Sequence, residues 1–161
     1  MNIRRFARLT APAVLLTTTL ATPAAADGQP ARTSQQVSID AREPLDGSPA
    51  TFTTLGDGLC PAGGVQSQAT IALDRRRLTF DVRKTLTCAD GSGSWFVKLS
   101  ASVEPCDAFD SGTWMVTGGT GAYRHLRGQG QIVGLYEPTN ACDGAVVVDH
   151  YRGTARFGGS S

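Results

Sequence analysis

The chain has 161 residues, 15 basic against 14 acidic, a formal charge of +1, four cysteines and 19 glycines. So even a balance, with no concentrated basic face, excludes an electrostatic reason to bind nucleic acid or an acidic membrane. The start is basic, with Arg4, Arg5 and Arg8, and an apolar run from Ala11 to Ala21 ends at Ala24, Ala25 and Ala26. This reads as a secretory signal over residues 1–26 with a small-residue cleavage site, because the run is far short of the roughly 20 apolar residues of a membrane span. The first cysteine is Cys60, so a lipoprotein anchor has no attachment point, and the expected product is secreted, soluble and free of any membrane anchor. The remaining 135 residues suit one domain, and without the three leader arginines the balance becomes 12 basic against 14 acidic, a charge of −2.

Residues 27–33 are polar and contain Pro30, the pattern of a flexible arm. From Ser34 onward, short β-type segments recur about every ten residues with Gly, Pro, Asp or Asn between them, and no stretch carries a helical period. The predicted strands are Gln35–Ala41, Ala50–Leu55, Val65–Leu73, Leu78–Thr87, Trp95–Glu104, Gly112–Thr117, Gly128–Tyr136 and Ala145–Phe157. An open sheet of about eight strands leaves two unpaired edges, so the expected fold is all-β, a small antiparallel eight-stranded closed barrel over residues 34–161. The basic cluster Arg75–Arg77 falls at a turn and reads as a solvated hairpin tip.

In an exported chain the four cysteines are expected to form two disulfides, since none of their spacings resembles a zinc site. Facing Leu73 with Leu78 across the Asp74–Arg77 turn pairs Ile71 with Phe80, Ala69 with Val82 and Val65 with Leu86, all on one side of the sheet. The same ladder brings Cys88 opposite Gly63, three residues from Cys60. Cys60–Cys88 is the predicted first bridge, which leaves Cys106 with Cys142.

The segment Gly118–Gly130 reads GGTGAYRHLRGQG and follows GTWMVT at Gly112–Thr117. With TCADGSG ending at Gly93, and with Asp149, Tyr151 and Gly153, it resembles the glycine-rich hairpin of the allene oxide cyclase and dirigent-like barrels, a calycin-type group with secreted actinobacterial members. The resemblance implies an eight-stranded barrel with a central cavity, and it transfers no cyclase catalytic residue to a position in this chain. A dinucleotide loop is not expected here: Arg124 occupies the third glycine position of G-x-G-x-x-G, and strand rather than helix follows. A tight turn with positive φ at glycine is the expected role of the motif.

In the last strand Ala145, Val147, Asp149, Tyr151, Gly153, Ala155 and Phe157 share the inward face, and the other face carries His150, Arg152 and Arg156. An inward Asp149 is either a pocket acid or a structural acceptor of hydrogen bonds, because bare burial of its charge is too costly. Trp95 and Trp114 are core or cavity wall. His125 and His150 have no partner at ligand or triad spacing, no serine elbow is present, and no carboxylate pair stands out, so hydrolase chemistry has no support. No cofactor or metal is implied. One expectation is a cavity lined by Phe80, Trp95, Trp114, Tyr151 and Phe157, with Asp149 orienting a small hydrophobic molecule that is either held or folded for a cyclase- or isomerase-type reaction. The other is a secreted interaction module that binds a protein through the loops Leu55–Gly64, Ser102–Ser111 and Glu137–Gly144.

Overall fold

Alternation of apolar and polar side chains carries the backbone into strands wherever one face can be buried, and ladder partners then lengthen them. The computed structural model describes residues 34–74 and 76–158; the leader expected at 1–26, the arm at 27–33 and Arg75 lie outside the described residues. The strands are β1 (Gln35–Pro44), β2 (Ala50–Leu55), β3 (Ala62–Asp74), β4 (Arg77–Cys88), β5 (Ser94–Val103), β6 (Phe109–Gly119), β7 (Leu126–Glu137) and β8 (Val146–Phe157). Each pairs antiparallel with its successor and β8 returns to β1, closing the barrel. One 3₁₀ turn, Gly121–Tyr123, is the single helical element among the described residues.

The largest departure from the sequence expectation is β6, which extends beyond Gly112–Thr117 at both ends. Asp110 lies opposite Gly134 and Gly119 opposite Trp95, so neighbouring strands draw in residues of low intrinsic β-propensity. The β3–β4 ladder has the predicted register, from Leu73 opposite Leu78 to Gly63 opposite Cys88. Both predicted disulfides, Cys60–Cys88 and Cys106–Cys142, are present.

The interior is filled unevenly. At one end Trp95 stands edge-on to Phe52 and Tyr123, with ring centroids 5.1 and 4.9 Å away, and Phe157 lies 6.3 Å beyond Tyr123. Leu86, Val116, Leu126 and Ala155 complete this core. Tyr123 reaches it through the turn at Gly121, where φ is +56° and a Cβ would meet the Ser92 carbonyl and stand 3.0 Å from the Gly93 Cα. Its hydroxyl accepts the Cys60 N–H at 3.0 Å, joining the turn to the first disulfide. Trp114 forms the next layer inward, 5.9 Å from the Tyr151 ring, with its indole N–H donated to the Gln131 carbonyl at 3.0 Å.

The other end is wider. β2 pairs with β3 only from Ala50 opposite Val65 to Thr53 opposite Ala62, whereas β3 continues along β4 to Asp74. That projecting hairpin leaves Ile71 and Leu73 60% and 66% exposed at the rim.

Candidate functional site

Midway along the barrel, the inward alternation that carries apolar side chains elsewhere delivers polar ones. In β1, Val37, Ile39 and Ala41 lead to Glu43; in β4, Lys84 lies between Val82 and Leu86. β6 contributes Asp110, β7 contributes Gly134 and Tyr136, and β8 contributes Asp149 and Tyr151. Register fixes their level, with Asp110 opposite Gly134 and Gly134 opposite Asp149.

Lys84 spans the lumen. From β4 its Nζ donates to Glu43 Oε1 on β1 and to Asp149 Oδ2 on β8, and it lies 5.8 Å from the Tyr151 ring centroid, within reach of a cation–π contact. The second Glu43 oxygen accepts the Ser67 hydroxyl at 2.5 Å, and the Tyr151 hydroxyl approaches Asp149 Oδ2 at 3.4 Å. Asp110 is held separately, its Oδ2 accepting the Tyr136 hydroxyl at 2.8 Å and its Oδ1 the Gly134 N–H at 3.2 Å. A Cβ on Gly134 would stand 2.8 Å from both Asp110 Oδ1 and Asp149 Oδ1, so the two carboxylates close over the glycine and leave no room for a side chain there.

Two carboxylates thus share one ammonium away from bulk water, with a third, Asp110, beside them. Burial lowers the pKa of Lys84, but Tyr151, Asp149 and Glu43 together more than offset it and hold the amine protonated, its pKa above the ordinary lysine range. Burial pushes Asp149 up to about 6 against the attraction of Lys84, and the neighbouring Glu43 and Asp110 add to the rise. Burial also raises Asp110, although its hydrogen bonds from Tyr136 and Gly134 work the other way. Burial raises Tyr136 and Tyr151 as well, so both phenols stay protonated and act as donors. A carboxyl that titrates near neutrality can give or take a proton where a reacting group is held.

Above this floor lies a cavity of about 430 Å³ that opens at the wide end of the barrel. Its walls are apolar, with Leu78, Phe80, Val82, Leu99, Ala101 and Ile132 facing inward, and Leu45, Ile71 and Val147 stand toward the mouth. Ala141 also lines it, from the loop after β7. That loop is tied to the loop after β5 by the exposed Cys106–Cys142 bridge and by an Ala141 N–H to Asp107 carbonyl bond of 2.8 Å. The loop after β2 lies near the aromatic end of the barrel, where Cys60 joins Cys88.

Of the residues singled out in the sequence, Phe80 and Asp149 line the cavity. Tyr151 lies under its floor against Lys84 and Asp149, and Trp114 packs on Tyr151. Trp95 and Phe157 belong to the closed aromatic end. His150 is on the outer face, its Nδ1 2.9 Å from Asp40 Oδ1, with Arg152 3.2 Å from the same oxygen. Slight burial opposes ionisation of Asp40, but the hydrogen bonds from His150 and Arg152 prevail and lower its pKa. The Cys60 and Cys88 sulfurs cluster with Asp90 but are committed to their disulfide. Glu43, Lys84, Asp110 and Tyr136 were not anticipated, although Lys84 stands at period two between Val82 and Leu86 and Glu43 two residues after Ala41. No protein-family model, curated protein or solved structure matches the chain, so the fold and the geometry of its interior are the basis for reading its function.

Proposed function

We propose that this domain is an exported barrel that binds a small molecule, taking the apolar body of a hydrophobic ligand into the wide end of its lumen. The half-filled interior carries this reading: aromatic rings pack one end, while the other keeps about 430 Å³, within the range of ordinary ligand pockets. A barrel serving only as a scaffold has no need of such a space, because filling it would add stabilising contacts. Apolar walls over a few convergent polar groups are the usual make-up of a site that both holds and orients a ligand.

Kinship with the allene oxide cyclase and dirigent-like barrels rests on the hairpin Gly118–Gly130, and it would make the same lumen a mould in which a reactive polyene or epoxide is folded before it closes. Export rests on the leader residues, and two disulfides suit an oxidising compartment.

The test is a native mass spectrum of protein purified from its producer's culture medium, with an uncharged polarity-sensitive dye such as N-phenyl-1-naphthylamine as a second readout. The expected result is a co-purifying hydrophobic species, or dye fluorescence that Ala69→Trp abolishes by filling the lumen from its exposed wall. Protein that carries nothing and leaves the dye dark would overturn the reading.

A further inference from the structure

We infer that the ligand's polar end is an amine, held as an ammonium over Gly134 between Asp110 and Asp149, and that carboxylic acids are turned away. The inference rests on the proposed binding function and names the chemical class of its ligand.

Among the described residues lining the cavity Lys84 is the sole cation, and it is already occupied. Its ammonium bridges Glu43 and Asp149 with the Tyr151 ring beside it, so an incoming carboxylate would compete with two buried anions for one cation. It would also bring a fourth negative group to a floor that holds Glu43, Asp110 and Asp149. An ammonium moves that floor toward charge balance instead, and charge-assisted hydrogen bonds in a partly desolvated site are the stronger kind.

The open acceptors are in the right place. Asp149 is only 5% exposed, its Oδ2 is engaged by Lys84 and Tyr151, and its Oδ1 accepts no hydrogen bond among the described residues. Every fully buried side-chain nitrogen or oxygen among those residues has a partner, so Asp149 Oδ1 keeps accessible surface, and Asp149 lines the cavity. Across from it Asp110 Oδ1 holds only the Gly134 N–H, at 3.2 Å, and keeps acceptor capacity. Both oxygens lie 2.8 Å from the point that a Gly134 Cβ would occupy, close enough together for one ammonium on their cavity side to reach both, and the apolar walls above would receive the rest of an amphipathic molecule.

Three probes with one tail separate the possibilities: decylamine, decanol and decanoate, each below its micellar concentration, competing with the uncharged dye at pH 7.5. The amine should bind about tenfold or more tightly than the acid, with the alcohol between them. Asp110→Asn, which leaves the Lys84 ion pairs in place, should reduce the preference of amine over alcohol several-fold while alcohol binding persists. The same preference should narrow toward pH 5, because the groups facing this site are Glu43 from β1, Lys84 from β4, Asp110 from β6, Tyr136 from β7 and Asp149 and Tyr151 from β8. Of these, Asp149 and Asp110, both raised by burial, take up protons as pH falls while Lys84 stays charged. Acid bound as tightly as amine would overturn the inference and leave the cavity function standing. If the dye stays dark and no species co-purifies, the binding function fails and this inference with it; a bound dye that none of the three displaces would overturn the inference alone.

Discussion

Lys84→Met keeps most of the apolar stem of the side chain and removes its charged, donating end, so it isolates the role of the ammonium that crosses the lumen. Glu43 and Asp149 then face each other, and Asp110, without a cation in a region where Lys84 and Asp149 are each 5% exposed. Breaking a buried ion pair from one side costs about 3–5 kcal/mol, because the abandoned charge can no longer reach water. For a domain of this size that is a fall of roughly 10–20 °C in melting temperature at pH 7.5. The loss should shrink on acidification. Removing Lys84 also removes the main force lowering Asp149, so its folded-state pKa rises further above the unfolded value, and protonation favours the folded form as pH drops through it. The triple variant Lys84→Met, Glu43→Gln, Asp149→Asn, which deletes the pair and both partners, should recover much of the loss. Thermal or urea unfolding followed by circular dichroism at pH 7.5 and 5 reads all three. A Lys84→Met protein that melts within about 2 °C of the parent at both pH values would refute the claim that this cluster is a coupled, buried charge network.

Asp149 has its own pH signature: its pKa is raised to about 6 from an unfolded value near 3.8, so its buried charge weakens the fold increasingly as pH rises through that window. Urea unfolding of the parent and Asp149→Asn between pH 4 and 7 should show the parent losing ground to the variant by up to about 3 kcal/mol, and parallel curves would contradict it. Gly134→Ala places a methyl 2.8 Å from two carboxylate oxygens and should cost about 1–3 kcal/mol in the same measurement, with an unchanged midpoint as the contrary result. Limited reduction under native conditions should open Cys106–Cys142 first, since both its cysteines are exposed whereas Cys60 and Cys88 are buried. Alkylation and peptide mapping identify the opened bridge, and early labelling of Cys60 or Cys88 would count against this order. Replacing Cys106 and Cys142 by serine should lower stability by about 3–4 kcal/mol, the value for a loop of 36 residues in the chain-entropy account.

What could be read from the sequence follows strand alternation. The β3–β4 ladder was legible because Leu73 and Leu78 flank a short polar turn, and the cysteine pairing followed from where that ladder delivers Cys88. Alternation in β8 likewise put Asp149 and Tyr151 inside. It did not reveal their partners, because Lys84 and Asp149 are 65 residues apart and meet only across a closed barrel. Glu43 and Asp110 lay beyond the predicted ends of their strands, where partner strands rather than local preference extend the pairing. Nor does residue type tell which end of the lumen is full: Trp95, Phe157 and Phe80 are all inward aromatics, yet the first two pack the closed end and Phe80 faces open space.

The uneven packing of the barrel separates two jobs along its axis. Trp95, Phe52 and Tyr123 decide whether the chain folds, while Ile71, Leu78 and Phe80, set on the projecting hairpin, shape what fits inside. Exchange of the second group leaves the first untouched, so under the proposed binding function variants of this barrel would change what they hold by drift at the rim without passing through unstable intermediates.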